Sequence, residues 1–280
     1  MRILFVLMIL AVTSVVARSQ PGRDPVQLTN TTVHVFPAKA VKDTFQIVVA
    51  LPSSYATSSN ALPVVYLLDS DKSFGMARDV VNWLSWAREL PQVIVVGISY
   101  GGTTKQWWDK RTRDYLPTRD TSGIWGSKWP YAGGGESFRE FLKDELFPFI
   151  EGTYRVVPND RAIVGISFGG VFASYVLFTD PAMFNRYVIS GPALPWDNRR
   201  IFSYEKEFFA RIKEIPAKVF TSVGSKDSDD ILQSWHDLNA VIASRKYNGL
   251  IWIQHVFPDE THFSVFPAAL TRGLSTVFSK

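Results

Sequence analysis

Apolar positions along this chain fall into two kinds of pattern: short unbroken runs, and longer stretches that repeat every three to four residues. Residues 31–36 and 44–51 alternate between apolar and polar, as a leading antiparallel pair of half-buried strands does. Residues 63–68 are continuously apolar and end in Asp69, and residues 92–99 form a second such run. Residues 162–165, 186–190, 218–223 and 250–257 continue the series. Continuous apolarity suits strands covered on both faces, the normal condition of a parallel sheet. Between these runs lie helical periods. Residues 137–150 carry Phe138, Phe141, Leu142 and Phe149 near one face, and residues 231–245 place Ile231, Trp235, Leu238 and Ile242 on one stripe. Residues 170–178 are apolar on nearly all sides, and residues 270–278 close the chain as a helix. The pattern predicts an α/β protein: a mostly parallel eight-stranded sheet with helices on both faces.

Residues 100–135 break the rhythm. The stretch reads as long and irregular, rich in Gly, Thr, Arg and Trp, with Trp107, Trp108, Trp125 and Trp129. Connections of that length are either functional lids and binding loops or surface excursions with a small core of their own.

Composition narrows the chemistry. The chain has 280 residues, enough for one domain with a large core, and it holds no Cys. Disulfides, thiolate metal sites and a cysteine nucleophile are thereby excluded. The formal charge of +4 is spread along the chain without a basic run, which argues against a nucleic-acid partner. Met1-Arg2, the apolar stretch 3–16 and the small residues of Val15-Val16-Ala17 read as a signal peptide over residues 1–17, cleaved near Ala17. The expected mature product is exported, periplasmic or secreted, without a membrane span, because some 14 apolar residues fall short of the roughly 20 a spanning helix needs. Residues 18–280 would form a single domain, with residues 100–135 as a Trp-rich insertion. Asn30-Thr31-Thr32 is a glycosylation sequon, meaningful only in a eukaryotic secretory pathway.

The reaction is announced by Gly165-Ile166-Ser167-Phe168-Gly169, a G-x-S-x-G sequence with a strand-like run before it and a buried helix after it. That context is a nucleophile elbow, with a serine at the apex of a strained strand-to-helix turn. Serine needs a base to remove its proton. Of four histidines, His34 lies in the first strand, His236 on a helix and His255 inside the last strand; His262 follows the last strand and is the expected general base. An acid must hold the imidazole, and Asp227, Asp229 and Asp230 compete for that role, with Asp227 preferred because it comes first after its strand. The oxyanion donors are expected to be the backbone N–H of Phe168 and one from the segment 69–72, assigned to Asp71 with Ser70 as neighbour. No metal and no organic cofactor is expected.

With these residues placed, the chain resembles the esterase D-like family of α/β-hydrolases, close to the bacterial siderophore-esterase-like hydrolases. The resemblance runs through Leu51-Pro52, residues 63–69, 111–117, Gly133-Gly134-Gly135, residues 141–146, 164–170 and 260–265. It implies a Ser167–His262 pair with an acid whose position varies among relatives. It departs at residues 190–196, where Gly191-Pro192-Ala193 replaces the usual segment, and at Ser70, where Gly is common. It also sets Arg111 and Arg113 near the entrance, where they either hold an acidic acyl group or a catechol oxygen, or pin the long loop through Asp114. Trp107 and Trp108 join them as candidate substrate contacts.

The leading expectation is a serine hydrolase that cleaves a small-molecule carboxylic ester through an acyl-enzyme. A siderophore-ester hydrolase, an acyltransferase using a sugar or lipid hydroxyl, and a non-catalytic binding protein on the same fold are the alternatives.

Overall fold

The computed structural model describes residues 26–120 and 127–279. The expected signal peptide, residues 1–17, and Trp125 lie outside the described residues. Eight strands form one sheet: β1 (Thr31–Ala38), β2 (Asp43–Ala50), β3 (Leu62–Leu67), β4 (Ile94–Ser99), β5 (Val156–Ile166), β6 (Arg186–Ser190), β7 (Lys218–Gly224) and β8 (Ile251–Phe257). Their spatial order is β1-β2-β4-β3-β5-β6-β7-β8. The β1–β2 and β2–β4 pairs are antiparallel, and every pair from β4 to β8 is parallel. The sheet is thus mixed at one end and parallel where the chemistry lies.

Alternation along the central strands splits the core in two. Val64 and Tyr66 of β3 face one layer, while Val65 and Leu67 face the other. The second layer is closed by α1 (Ser70–Trp86), through Phe74, Ala77, Val81 and Leu84, and by the C-terminal helix described below. The first layer is the larger, and aromatic rings fill it: Phe45 stacks on Phe141 at 4.5 Å, and Phe138 meets Phe172 edge-on at 4.9 Å. Its helices are α2 (Thr104–Tyr115), α3 (Gly135–Glu140), a π-helical turn Phe141–Leu146, α4 (Phe147–Thr153), α5 (Phe168–Leu177), α6 (Trp196–Arg211) and α7 (Asp229–Ser244). The chain ends in α8 (Val265–Phe278), which lays Phe266, Leu270, Leu274 and Val277 against the second layer. Among the described residues no helix is long and apolar enough to cross a membrane.

Three elements correct the sequence pattern. Helices α1 and α6 add to the expected set. The stretch 100–135, read as irregular, contains α2. Thr103 starts α2 with a capping box: its hydroxyl accepts from the Gln106 N–H, and the Gln106 side chain accepts from the Thr103 N–H. The helix escaped the hydrophobic pattern because of what it buries. Its inner face carries Arg111, Thr112, Asp114 and Tyr115, so ion pairs hold it down where an apolar stripe normally would.

Candidate active site

Three strand ends converge on one corner of the sheet. At the end of β5 the backbone turns sharply, and Ser167 has φ 58° and ψ −118°, a region that side-chain-bearing residues avoid. The neighbours hold it there. Its N–H donates to the Ser190 carbonyl at 3.0 Å, and its own carbonyl accepts from Val171 (3.0 Å) and Ala193 (3.2 Å). Strained residues persist where surrounding contacts over-determine them. Gly165 is required by close approach: a Cβ there would lie 2.3 Å from the Gly169 carbonyl oxygen, where helix α5 begins. Phe168 opens α5, so its N–H sits in the first turn, where helical geometry leaves donors without an intrahelical acceptor.

At the end of β8 the chain carries His262 in a loop tied down at several points. Asp259 N–H donates to Ser225 Oγ at 2.8 Å, Lys226 N–H to the Glu260 carbonyl at 2.8 Å, and Thr261 N–H to Ser264 Oγ at 2.9 Å. At the end of β7 stands Asp227. Its side chain is 1% exposed and lies 2.9 Å (Oδ2) and 3.1 Å (Oδ1) from His262 Nδ1. The Ser228 N–H donates to Asp227 Oδ1 at 2.8 Å and fixes the carboxylate in turn. Of the three competing acids, Asp227 is the one bonded to the imidazole. Asp229 and Asp230 lie in the first turn of α7, where Asp230 accepts from Ser228 Oγ and from Ile231 N–H. With Nδ1 donating to the carboxylate, Nε2 is left as the basic nitrogen.

Ser167 is common to two cavities. The first, about 290 Å³, is walled by Phe168, Ala193, Pro195, Trp196, Ser228, Asp230, Ile231 and His262. Trp196 is presented there by a costly turn: Asp197, Asn198 and Arg199 all have positive φ (45°, 53° and 64°), at about 1 kcal/mol or more each. Arg199 is anchored to Asp237 at 2.8 Å, and the Trp196 indole donates to the Thr118 carbonyl at 3.2 Å. The second cavity, about 240 Å³, takes its walls from α1, α2 and the start of α8: Lys72, Met76, Trp107, Trp108, Arg111, Phe263 and Phe266 among them.

Asp69 joins the second cavity to the sheet. It has φ 53°, donates its N–H to Tyr115 Oη at 2.9 Å, and receives Arg111 in a two-pronged ion pair at 2.7 and 2.8 Å. The same guanidinium lies 5.0 Å from the ring centres of Trp107 and of Trp108, and 5.3 Å from that of Phe168. Burial works against the charge of Arg111, but the Asp69 carboxylate outweighs it and the guanidinium pKa is raised. Arg111 therefore welds α2 to the elbow.

Most of the residues singled out in the sequence meet here: Ser167, His262, Asp227, Phe168, Trp107, Trp108 and Arg111. Arg113 does not. It lines neither cavity, and it bonds Asp114 and Asp43, pinning α2 to β2. The Asp71 carboxylate turns away to accept from Tyr100 N–H (2.9 Å) and Gly101 N–H (2.8 Å), while its N–H belongs to the open first turn of α1. His34 bonds Tyr154 in the first strand, His236 is exposed on α7, and His255 packs on Phe257. Met76 and Phe263 are wall residues that the sequence reading did not single out, and Ile231, read only as part of a helical stripe, is a third. Phe263 carries a local signal in the sequence, as an apolar residue next to His262; the structure leaves it 76% exposed.

A family model described as "Putative esterase" matches residues 38–270. The ferri-bacillibactin esterase BesA of Bacillus subtilis (strain 168) is 28% identical over 263 residues, 87% of this chain and 88% of that protein. The siderophore enterobactin esterase of Emericella nidulans is 30% identical over 180 residues, 59% of each chain. Among solved structures, an IroE-like serine hydrolase from Shewanella oneidensis aligns with a TM-score of 0.77 at 28% identity, covering 89% of this chain and 80% of that one. The BES protein from Bacillus cereus shares the fold with a TM-score of 0.83 at 24% identity, over 94% of this chain and 100% of that one. This chain belongs to that esterase family, and it is an α/β enzyme that hydrolyses carboxylic esters.

Proposed function

We propose that Ser167, His262 and Asp227 form the catalytic triad of this esterase. The observation that carries the assignment is the contact of Asp227 with Nδ1 of His262, on a loop whose imidazole shares a cavity wall with the strained Ser167. His262 Nε2 takes the Ser167 hydroxyl proton as Oγ attacks the ester carbonyl carbon. Negative charge gathers on the former carbonyl oxygen, and the N–H groups of Phe168 and Asp71 (with Ser70 beside it) serve as its donors. The tetrahedral adduct collapses, the C–O bond to the alcohol breaks, and His262 returns the proton to the leaving oxygen. Water then repeats the sequence on the acyl-enzyme and releases the acid.

The substrate we propose is a siderophore ester. Support comes from two of the relatives named above, one called a ferri-bacillibactin esterase and the other a siderophore enterobactin esterase, together with walls of Trp and cationic side chains suited to flat, oxygen-rich groups. The finer placement within the esterase D-like hydrolases, and export after cleavage near Ala17, belong to the same proposal. A fluorophosphonate probe and a panel of esters that includes a trilactone siderophore test it. Wild type labels at Ser167 and opens the trilactone; Ser167→Ala neither labels nor turns over. Full activity in Ser167→Ala defeats the triad, and turnover of simple esters alone defeats the substrate.

A further inference from the structure

We infer that the two cavities meeting at Ser167 divide the substrate, the His262 cavity taking the alcohol and the Trp107 cavity taking the acyl group, with Lys72 selecting acyl groups that end in an anionic oxygen. The inference rests on the Ser-His reading above and deepens it. Its starting point is that the general acid must reach the leaving oxygen. His262 walls the first cavity and does not wall the second. An alcohol whose oxygen lies on Nε2 therefore extends over Trp196, Ile231 and Asp230. The acyl carbon chain leaves the reacting centre in another direction, and the second cavity also opens to Ser167. Deacylation fits the same division. The attacking water also needs His262, so it enters the space that the departed alcohol vacates, while the acyl group stays bound.

The lining of the second cavity states what it accepts. Trp107 and Trp108 meet edge to face at 4.9 Å, and Met76, Phe263 and Phe266 supply further apolar wall. A flat apolar body suits that space. Two cations border it, and they differ. Arg111 is committed to Asp69 at 2.7 and 2.8 Å. Lys72 is exposed, its ammonium lies 5.3 Å from the Trp107 ring centre, and among the described residues no carboxylate pairs with it. The neighbouring Asp71 carboxylate is occupied by the Tyr100 and Gly101 amides. Among the described residues lining this cavity, Lys72 is thus the cation not committed to a carboxylate. Among the described residues Asp230 is the acid that lines the alcohol cavity, so the two ends of the substrate meet opposite charges.

Kinetics separate the two pockets, because esters of one acid share a single acyl-enzyme whatever their alcohol. The probes are nitrophenyl and alkyl esters of 3-phenylpropanoic acid and of its 4-carboxyphenyl analogue, read by nitrophenol burst for the nitrophenyl esters and by steady release of the acid for all of them. Trp107→Ala changes deacylation of the phenylpropanoyl-enzyme by about tenfold, equally for all alcohols; Trp107→Phe recovers most of it. Ile231→Ala acts on acylation, by an amount that varies with the alcohol. Lys72→Gln lowers the kcat/KM ratio of the carboxylated to the uncharged ester about fivefold, the size of an exposed charge pair, and Lys72→Arg restores it. An effect of Trp107→Ala that varies with the alcohol at constant deacylation, or a ratio that Lys72→Gln leaves in place, overturns the division. Such a result in protein that still labels with fluorophosphonate leaves the nucleophile standing. Wild type that neither bursts nor labels defeats both.

Discussion

Asp227 holds Nδ1 of His262 at 2.9 Å while its own Oδ1 accepts the Ser228 N–H at 2.8 Å. The imidazole is therefore positioned by a carboxylate that is itself positioned by backbone. Replacing the acid with an amide keeps the shape and lets the ring adopt the wrong tautomer. Asp227→Asn is expected to lower kcat by about 10³–10⁴-fold with little change in fold, whereas Asp229→Ala and Asp230→Ala each cost less than about tenfold in kcat. Steady-state kinetics on a nitrophenyl ester separates them, and equal losses at Asp227 and Asp229 would remove Asp227 from the site.

The loop that carries His262 crosses β7 at a glycine. A Cβ on Gly224 would sit 2.3 Å from the Glu260 carbonyl oxygen and 2.9 Å from that of Thr261, both backbone atoms. Gly224→Ala must push the loop away from Asp227. We expect at least a tenfold fall in kcat, since displacements near 1 Å cost about 10²-fold at a reacting centre. Gly152 in α4 is the control, because nothing lies within 4 Å of a Cβ placed there. Gly152→Ala should leave activity intact and raise stability by about 0.5–1 kcal/mol in denaturant melts.

The Arg111–Asp69 pair is almost fully buried, with side chains 4% and 7% exposed. Removing one charge strands the other. Arg111→Met and Asp69→Asn should each destabilise by about 3–5 kcal/mol, and the double variant by clearly less than their sum. A double-mutant cycle from urea midpoints measures the coupling; strict additivity would refute it.

Burial pushes the Asp114 carboxyl up to about 6, against the lowering effect of the Arg113 guanidinium bonded to it. The sign of the consequence follows from proton binding. Between about pH 4 and pH 6 the folded chain holds a proton on Asp114 that the unfolded chain has released, so this group's contribution is full at low pH and is lost as pH rises through 6. Asp114→Asn lacks that dependence. Relative to the variant, wild type should lose about 1–3 kcal/mol between pH 4 and pH 7. Urea melts across that range check it, and a stability difference that stays flat or rises with pH contradicts the assignment.

The strands were legible because each is a short apolar run whose length and flanks leave few alternatives, as at residues 63–68 and 92–99. The elbow was legible because glycine, serine and glycine at fixed spacing, between a strand and a buried helix, have few other uses. Helix α2 was not legible: a pattern based on hydrophobicity cannot see a buried face made of Arg111, Thr112, Asp114 and Tyr115. The role of Arg113 was half legible, since its bond to Asp114 is between chain neighbours while its bond to Asp43 spans 70 residues.

By itself the sequence determined the α/β class, the strand series, the serine at the turn and the histidine after the last strand, because local propensity, hydrophobic period and chain order are written in consecutive residues. Only the tertiary structure decided which of Asp227, Asp229 and Asp230 meets the imidazole. It alone brought Arg111 to Asp69 and Phe168, and it alone set two cavities of different lining at Ser167. Those facts depend on how strand ends far apart in the chain converge at one edge of the sheet, and distances between remote residues are properties of packing.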